Sequence, residues 1–549
     1  MHLRTLADDD DDDDRETDQS CRSGFTTGCR ARAGSKHIRN TWAGSAGSPE
    51  RFRRFAIDDN SLNGNDSTGL DPEEWDEFRA LCHSAVDDMI DHWASVRNRP
   101  VWQPIPEASK AALEPRIPLL GKPANEVYET FRKQIMPHLL GNTHPRFWGW
   151  VHGSGTPVGA LAEFLAGCVN ANLGGREHMP VYLERQVIDI FKNVFGLPVE
   201  ASGLLVSGTS MATLLGLAIA RERIAPGTIR SSGLTAAGRD LVGYCSTQAH
   251  GSVAKAFEVL GLGSSHLRKV RTDAAHGIDL EALEQAIRAD RDAGSQPFVV
   301  IASAGTVNIG AFDNISAIRE IADRHNLWLH VDGAFGALTM LAPALRHLVA
   351  GIETADSLAF DCHKWLHVPY DAGCLLVRDG QLHRATFGGR LEYLSSAEIG
   401  AASGEPWFCD YGIELSRGFR ALKVWFTLEH YGLARLGEAI CRNCEQARHL
   451  ARLVDAEPRL ERVAPVPLNI VCLRHLGSTG SSPVEQEQLT KWLTARLHLE
   501  GVAVPSLTAI DGRTAMRVCF TNHRTTTADL EAFVAALLSF GEERVGRST

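Results

Sequence analysis

Four short stretches of the chain carry side chains whose types and positions suit chemistry. Ser207-Gly208-Thr209-Ser210 lies between an apolar run and a helical pattern that starts near Met211. Small residues there let backbone N–H groups at a helix N-terminus close on an anion, most often a phosphate, although an ordinary helix cap has the same composition. Asp332 ends Leu329-His330-Val331-Asp332, a strand pattern that should be buried. A buried carboxylate requires a charged or hydrogen-bonding partner, which makes Asp332 the partner either of a cationic ligand atom or of an internal Arg or Lys. Lys364, in Asp361-Cys362-His363-Lys364-Trp365, follows another strand end among apolar neighbours. An amine so placed is suited to losing its proton and attacking a carbonyl, where most lysines are solvated surface charges. His250, in Gln248-Ala249-His250-Gly251-Ser252, also follows a strand, and a core histidine is its plainer reading. Cys441-Arg442-Asn443-Cys444 is a single CxxC inside a helical pattern, without the second pair that a zinc site needs.

These groups are useful only if the chain brings them together, and the elements between them predict that it does. Strands are expected at Leu204–Ser207, Leu241–Cys245, Phe298–Ser303, Trp328–Val331, Ser357–Phe360 and Gly373–Val377, with helices at Met211–Arg221, Ser252–Leu260 and Ile315–His325. That alternation argues for an α/β domain around a mainly parallel sheet covered on both faces, and ligands in such sheets bind at the carboxyl ends of the strands. All four candidates fall there. A helix over Val181–Leu197 is stopped by Gly196 and Pro198. Beyond about Trp425 the pattern changes to helices Ala439–Leu453 and Val484–Leu497 with strands Ile470–Leu473 and Met516–Phe520, a smaller α+β domain.

Composition bounds the rest. The 549 residues are 44% hydrophobic and 22% charged, enough for a large core. The net charge is −11, of which seven charges sit in the run Asp8–Asp14. The nearly neutral remainder gives no electrostatic reason to expect nucleic acid or an anionic membrane as a partner. Residues 1–65 are rich in Asp, Arg, Gly, Ser and Thr and read as a disordered acidic, polar tail without a secretory signal. Residues 66–146 read as a helical arm, with Trp75, Phe78, Leu81, Cys82, Val86, Met89 and Ile90 forming an apolar face that must pack on something larger. Twelve scattered cysteines make no disulfide framework and suit a reducing cytoplasm. No run of eighteen apolar residues suggests a membrane span.

Taken in order, phosphate loop, His250, Asp332 and then Lys364, the chain resembles the pyridoxal-phosphate-dependent group II amino-acid decarboxylases of the aromatic-L-amino-acid decarboxylase type. The resemblance also rests on His144-Pro145-Arg146-Phe147, Asn170-Ala171-Asn172, Gly305-Thr306, Asp356-Ser357, Leu415-Ser416-Arg417, Phe419-Arg420-Ala421-Leu422-Lys423 and Asn522-His523-Arg524-Thr525-Thr526. It runs from about Asp71 to the C-terminal helix. It implies a fold-type I large domain over 147–424, a C-terminal small domain over 425–549, the cofactor pyridoxal 5'-phosphate, and a homodimer with active sites at the subunit boundary. By resemblance, Lys364 tethers the cofactor, Asp332 keeps its ring nitrogen protonated and His250 covers the ring. Thr209, Ser210 and His363 bind the phosphate, Thr306 and Ala334 fix the ring plane, and Arg517 lies near the active site.

The activity this implies is decarboxylation of an L-amino acid to its amine and CO2 by a carboxy-lyase. Two alternatives are an aldehyde synthase on the same cofactor and an idle cofactor-binding paralogue, against which intact Asp332 and Lys364 argue. The phosphate loop departs from many relatives in having Met211 where they carry Glu, and Gly333-Ala334-Phe335 replaces Ala-Ala-Tyr or Ala-Ala-Trp. The relatives' loop tyrosine, a proton donor, falls near Trp407–Tyr411, with Phe408 at the matching spacing; Tyr411 and Tyr393 are both candidates. Phe147, Trp148, Trp150 and Phe335 are candidates for an aromatic substrate pocket, although aromatics at such spacing are more often core; they favour aromatic amino acids and leave acidic and diamino acids open.

Overall fold

The computed structural model describes residues 69–115, 117–389 and 396–546. The expected tail 1–65 and Tyr393 lie outside the described residues. Internal contacts divide the chain at Glu73, and the fold below is that of Glu74–Thr549.

Seven strands form the larger sheet: β1 (Ser202–Val206), β2 (Leu241–Ser246), β3 (Leu267–Val270), β4 (Gln296–Ser303), β5 (Trp328–Asp332), β6 (Ser357–Asp361) and β7 (Gly373–Val377). Their order is β1-β7-β6-β5-β4-β2-β3. Strands β2, β5, β6 and β7 are buried along their whole length, so they read as unbroken apolar runs and not as alternating ones. All the pairings are parallel except those of β7, which runs antiparallel to both β1 and β6. The connection between β6 and β7 is too short for a crossover helix, so the chain returns directly. Because β7 opposes both neighbours, β1 points the same way as β6, and the carboxyl ends of β1, β2, β4, β5 and β6 lie on one edge.

The helix Met179–Val194 buries Val181, Val187, Ile188 and Phe191 on one stripe and ends before Gly196, whose φ of +66° closes the turn. The helix Thr209–Glu222 is apolar nearly all round and lies sandwiched in the core. It starts two residues before the expected Met211. Gly208 approaches Gly373 so closely that a Cβ on Gly373 would sit 2.5 Å from the Gly208 Cα, so position 373 has no room for a side chain.

A second sheet, β8 (Leu460–Arg462), β9 (Ile470–His475), β10 (Ser506–Ile510) and β11 (Arg513–Cys519), is antiparallel in the order β10-β11-β9-β8. Helices Pro483–Leu499 and Thr527–Gly546 contribute Leu493, Leu497, Phe533 and Leu537 to its core. The helix Arg420–Ala456, bent at Gly432 where φ is +70°, packs on elements of both sheets. The expected helix Ala439–Leu453 is its second half. In the arm, the helix Trp75–Ser95 has no buried residue and leaves Trp75, Phe78, Val86 and Ile90 exposed. Among the described residues, no helix is long and apolar enough to cross a membrane.

Candidate active site

The strand ends on the shared edge deliver their side chains into one cavity of about 370 Å³. Thr209, Ser210, His250, Thr306, Asp332, Ala334, His363 and Lys364 all line it, so these eight residues singled out in the sequence come together in one place. Asp332 ends β5 in register with Ser303 and Ala359, and its Oδ1 accepts the Ala334 N–H at 3.2 Å. Burial raises the pKa of this carboxyl, opposed by the nearby charges of Lys364 and His250. Behind it His330 is fully buried between Ser357 Oγ, 2.8 Å from Nδ1, and Thr213 Oγ1, 3.3 Å from Nε2. Burial holds His330 neutral, with its pKa pushed down to about 3.

Lys364 stands one residue beyond His363 in the short helical turn Cys362–Trp365. Its Nζ is 2.7 Å from Asp361 Oδ2. Burial pulls the amine pKa down, but the Asp361 charge and hydrogen bond, with Asp332 behind them, push harder and leave it above the ordinary lysine value. Asp361 also accepts the Thr209 N–H at 2.7 Å through Oδ1, and His363 Nε2 lies 3.7 Å from its other oxygen. The His363 ring is fixed by the Ala372 N–H, which donates to Nδ1 at 3.2 Å, and by the Tyr370 ring 4.4 Å away. His250 caps the helix Gly251–Val259: its Nδ1 accepts the Ser252 N–H at 3.2 Å, leaving Nε2 as the free end of the ring. The Thr306 hydroxyl oxygen accepts the Ala311 N–H at 3.0 Å, so its first role is to hold the turn that forms this wall.

Other expectations resolve differently. Trp150 and Phe335 line the cavity, but Trp148 and Phe147 do not. Trp148 is 1% exposed, packs on Phe520 and Phe533 and donates its ring N–H to Thr525 Oγ1 at 3.3 Å, which makes it core of the smaller sheet. Phe147 packs with Val101 and Val504. Tyr411 sits on the His383 ring, 5.1 Å away, and Phe408 lies under Arg417; neither lines the Lys364 cavity. Arg517 is buried and donates to the carbonyls of Trp150 (2.8 Å), Asn308 (3.1 Å) and Val307, so it braces two cavity walls from behind. Cys441 opens instead on a wider groove of about 1140 Å³ along the long helix, and no metal-binding cluster exists among the described residues.

Sequence reasoning passed over three contributors: Asp361, Ser303 and His152. A signal existed for Asp361, since it ends a buried strand just as Asp332 does. His152 lines the cavity beside Trp150, with its pKa lowered by burial and then by the Lys364 charge.

The matches with known proteins agree with this geometry. Residues 106–476 match the pyridoxal-dependent decarboxylase conserved domain. An aromatic-L-amino-acid decarboxylase of Bacillus atrophaeus is 33% identical over 476 residues, covering 85% of this chain and 96% of the relative. The crystal structure of Oryza sativa TDC with PLP and tryptamine superposes with a TM-score of 0.80 at 26% identity, covering 87% of this chain and all of that one. That of Rhodiola rosea 4-hydroxyphenylacetaldehyde synthase superposes with a TM-score of 0.77 at 25% identity, over 86% of this chain and all of that one. The fold is thus that of the fold-type I pyridoxal-phosphate enzymes. The chain belongs to the pyridoxal-dependent decarboxylase family, and it is an amino-acid carboxy-lyase whose cofactor is pyridoxal 5'-phosphate. The donor set fits that cofactor. The Thr209 and Ser303 hydroxyls are buried without a hydrogen-bond partner, and the Lys364 amine and the buried Asp332 carboxyl open on the same cavity.

Proposed function

We propose that this chain converts an aromatic L-amino acid to its amine and CO2 in the Lys364 cavity. The observation that carries the reading is the convergence of Lys364, Asp332, His250 and the Thr209 helix start in one cavity walled by Trp150 and Phe335. When bound, the cofactor supplies an electron-withdrawing ring that accepts the electron pair left at Cα as CO2 departs. Lys364 would tether its aldehyde. Asp332 would hold a proton on the ring nitrogen, a pairing strengthened by the burial that excludes water from this carboxyl. Thr209, Ser210 and His363 would bind the phosphate, with Thr306 and Ala334 beside the ring and His250 covering it. With Nδ1 of His250 engaged by Ser252, its Nε2 is the ring atom placed to move a proton near the substrate.

The aromatic preference is supported by the two aromatic walls and by the named activity of the Bacillus relative. A panel of the twenty amino acids assayed for CO2, amine, aldehyde, ammonia and peroxide tests both substrate and outcome. Amine and CO2 in equal amounts from Trp, Tyr or Phe is the expected result; turnover of acidic or diamino acids alone would contradict it. Aldehyde with ammonia and peroxide would establish the second reading, an aldehyde synthase, which the Rhodiola match and the position of Tyr411 outside the cavity lining favour. The described cysteines are all free thiols, which suits a reducing cytoplasm. We also assign residues 66–146, 147–424 and 425–549 to arm, cofactor domain and small domain, in a homodimer.

A further inference from the structure

We propose that Asp361 is a positioning residue that holds the Lys364 amine and the start of the phosphate-loop helix together, so that cofactor capture must release both from it. This deepens the reading above and rests on it. Asp361 is 2% exposed and ends β6. One oxygen accepts the Thr209 N–H at 2.7 Å and the other is 2.7 Å from Lys364 Nζ. The two contacts are the two ends of the cofactor's berth: the helix start that suits an anion, and the amine that suits an aldehyde. Gly208 borders the arrangement closely: a Cβ there would lie 3.4 Å from Asp361 Oδ1 and 3.3 Å from the His363 ring.

Capture forms a C=N bond between the Lys364 nitrogen and the aldehyde carbon, and the aldehyde oxygen leaves as water. The attacking amine must be neutral, so the ammonium first gives up a proton to solvent. An adjacent carboxylate in a buried site opposes that loss. The groups facing the amine are Asp361 from β6, Asp332 from β5, His363 and Tyr370 from the following turn, His152 from the opposite wall and Cys519 from β11. Asp361 is the one in direct contact, and its removal therefore shifts the amine most.

The test uses the full chain, stripped of cofactor with hydroxylamine and mixed with pyridoxal phosphate or with pyridoxal, following the visible absorbance of covalent capture against pH. In the unmodified chain the capture rate should climb roughly tenfold per pH unit below the amine pKa. Asp361→Asn keeps an acceptor for the Thr209 N–H but removes the charge. It should capture both aldehydes about tenfold faster at neutral pH, and its climb should level off at a lower pH. A profile for Asp361→Asn that superimposes on the unmodified one overturns the proposal, as does acceleration with pyridoxal phosphate but not with pyridoxal, which would mean that Asp361 merely repels phosphate. Should the variant fail to fold, a flat pH profile in the unmodified chain still overturns it. No capture at all by the unmodified chain would sink the cofactor site itself, a different failure.

Discussion

Asp332 and His330 occupy the same strand two residues apart, and burial acts on them in opposite ways. The carboxyl of Asp332 is pushed up, because its charged form loses solvent, and it regains that charge only beside a cation. We predict that Asp332→Asn lowers kcat by about a hundredfold or more, the scale of removing one preorganised electrostatic partner, while cofactor-free protein stays as stable at neutral pH. Steady-state kinetics and thermal unfolding check the two halves. The imidazole of His330 is held neutral, with its pKa lowered from 6.5 to about 3. A group depressed in the folded state contributes stability that is present above the unfolded pKa and lost as pH falls through the interval. His330→Gln should therefore flatten the loss of stability between those two pH values, measured by denaturant unfolding; an unchanged acid limb would contradict it. Asp332, ending an apolar strand, and Lys364, just past another, were legible in the sequence chiefly through the order of motifs they share with the phosphate loop and His250. Asp361 also ends such a strand, yet its partner Thr209 is remote in the chain, and only the folded sheet shows the contact.

Several of the stretches that carry the family resemblance hold elements together and do not reach the cavity. Arg417 and Glu184 form a fully buried ion pair, with N···O of 2.5 Å. The guanidinium also donates to the carbonyls of Leu173 and Leu205, and Glu184 accepts the Leu205 N–H. This network fixes β1, hence the phosphate loop, to the helix Met179–Val194. Glu184→Gln leaves a buried guanidinium uncompensated and should cost about 3–5 kcal/mol, whereas joint replacement of both partners by apolar residues should cost much less. Chemical denaturation of the single and double variants separates these outcomes. The strands were readable because buried parallel strands are unbroken apolar runs. The antiparallel course of β7 was not, since strand direction follows from the length of the connection. Nor was the start of Arg420–Ala456, where Gly432 breaks the helical period.

At the scale of the whole molecule, the helix Pro157–Val169 carries an exposed apolar stripe among the described residues, with Leu161, Phe164 and Val169 53%, 53% and 61% exposed. Apolar stripes of this kind, like the exposed apolar face of the arm, are rarely left open to water, and in the homodimer proposed above a second copy would cover them. Phe164→Glu should shift the proposed homodimer toward monomer in analytical ultracentrifugation, with activity falling in parallel. A monomeric unmodified chain of full activity would contradict the dimer. Sequence composition indicated that the arm needed a partner surface, but a single chain's pattern cannot say which surface covers it.

Lys364 is the residue proposed to carry the cofactor. Borohydride reduction of the holoenzyme followed by peptide mapping should find the pyridoxyl group on Lys364 and on no other lysine. A reduced adduct elsewhere, or an unlabelled Lys364 in active protein, would contradict the account.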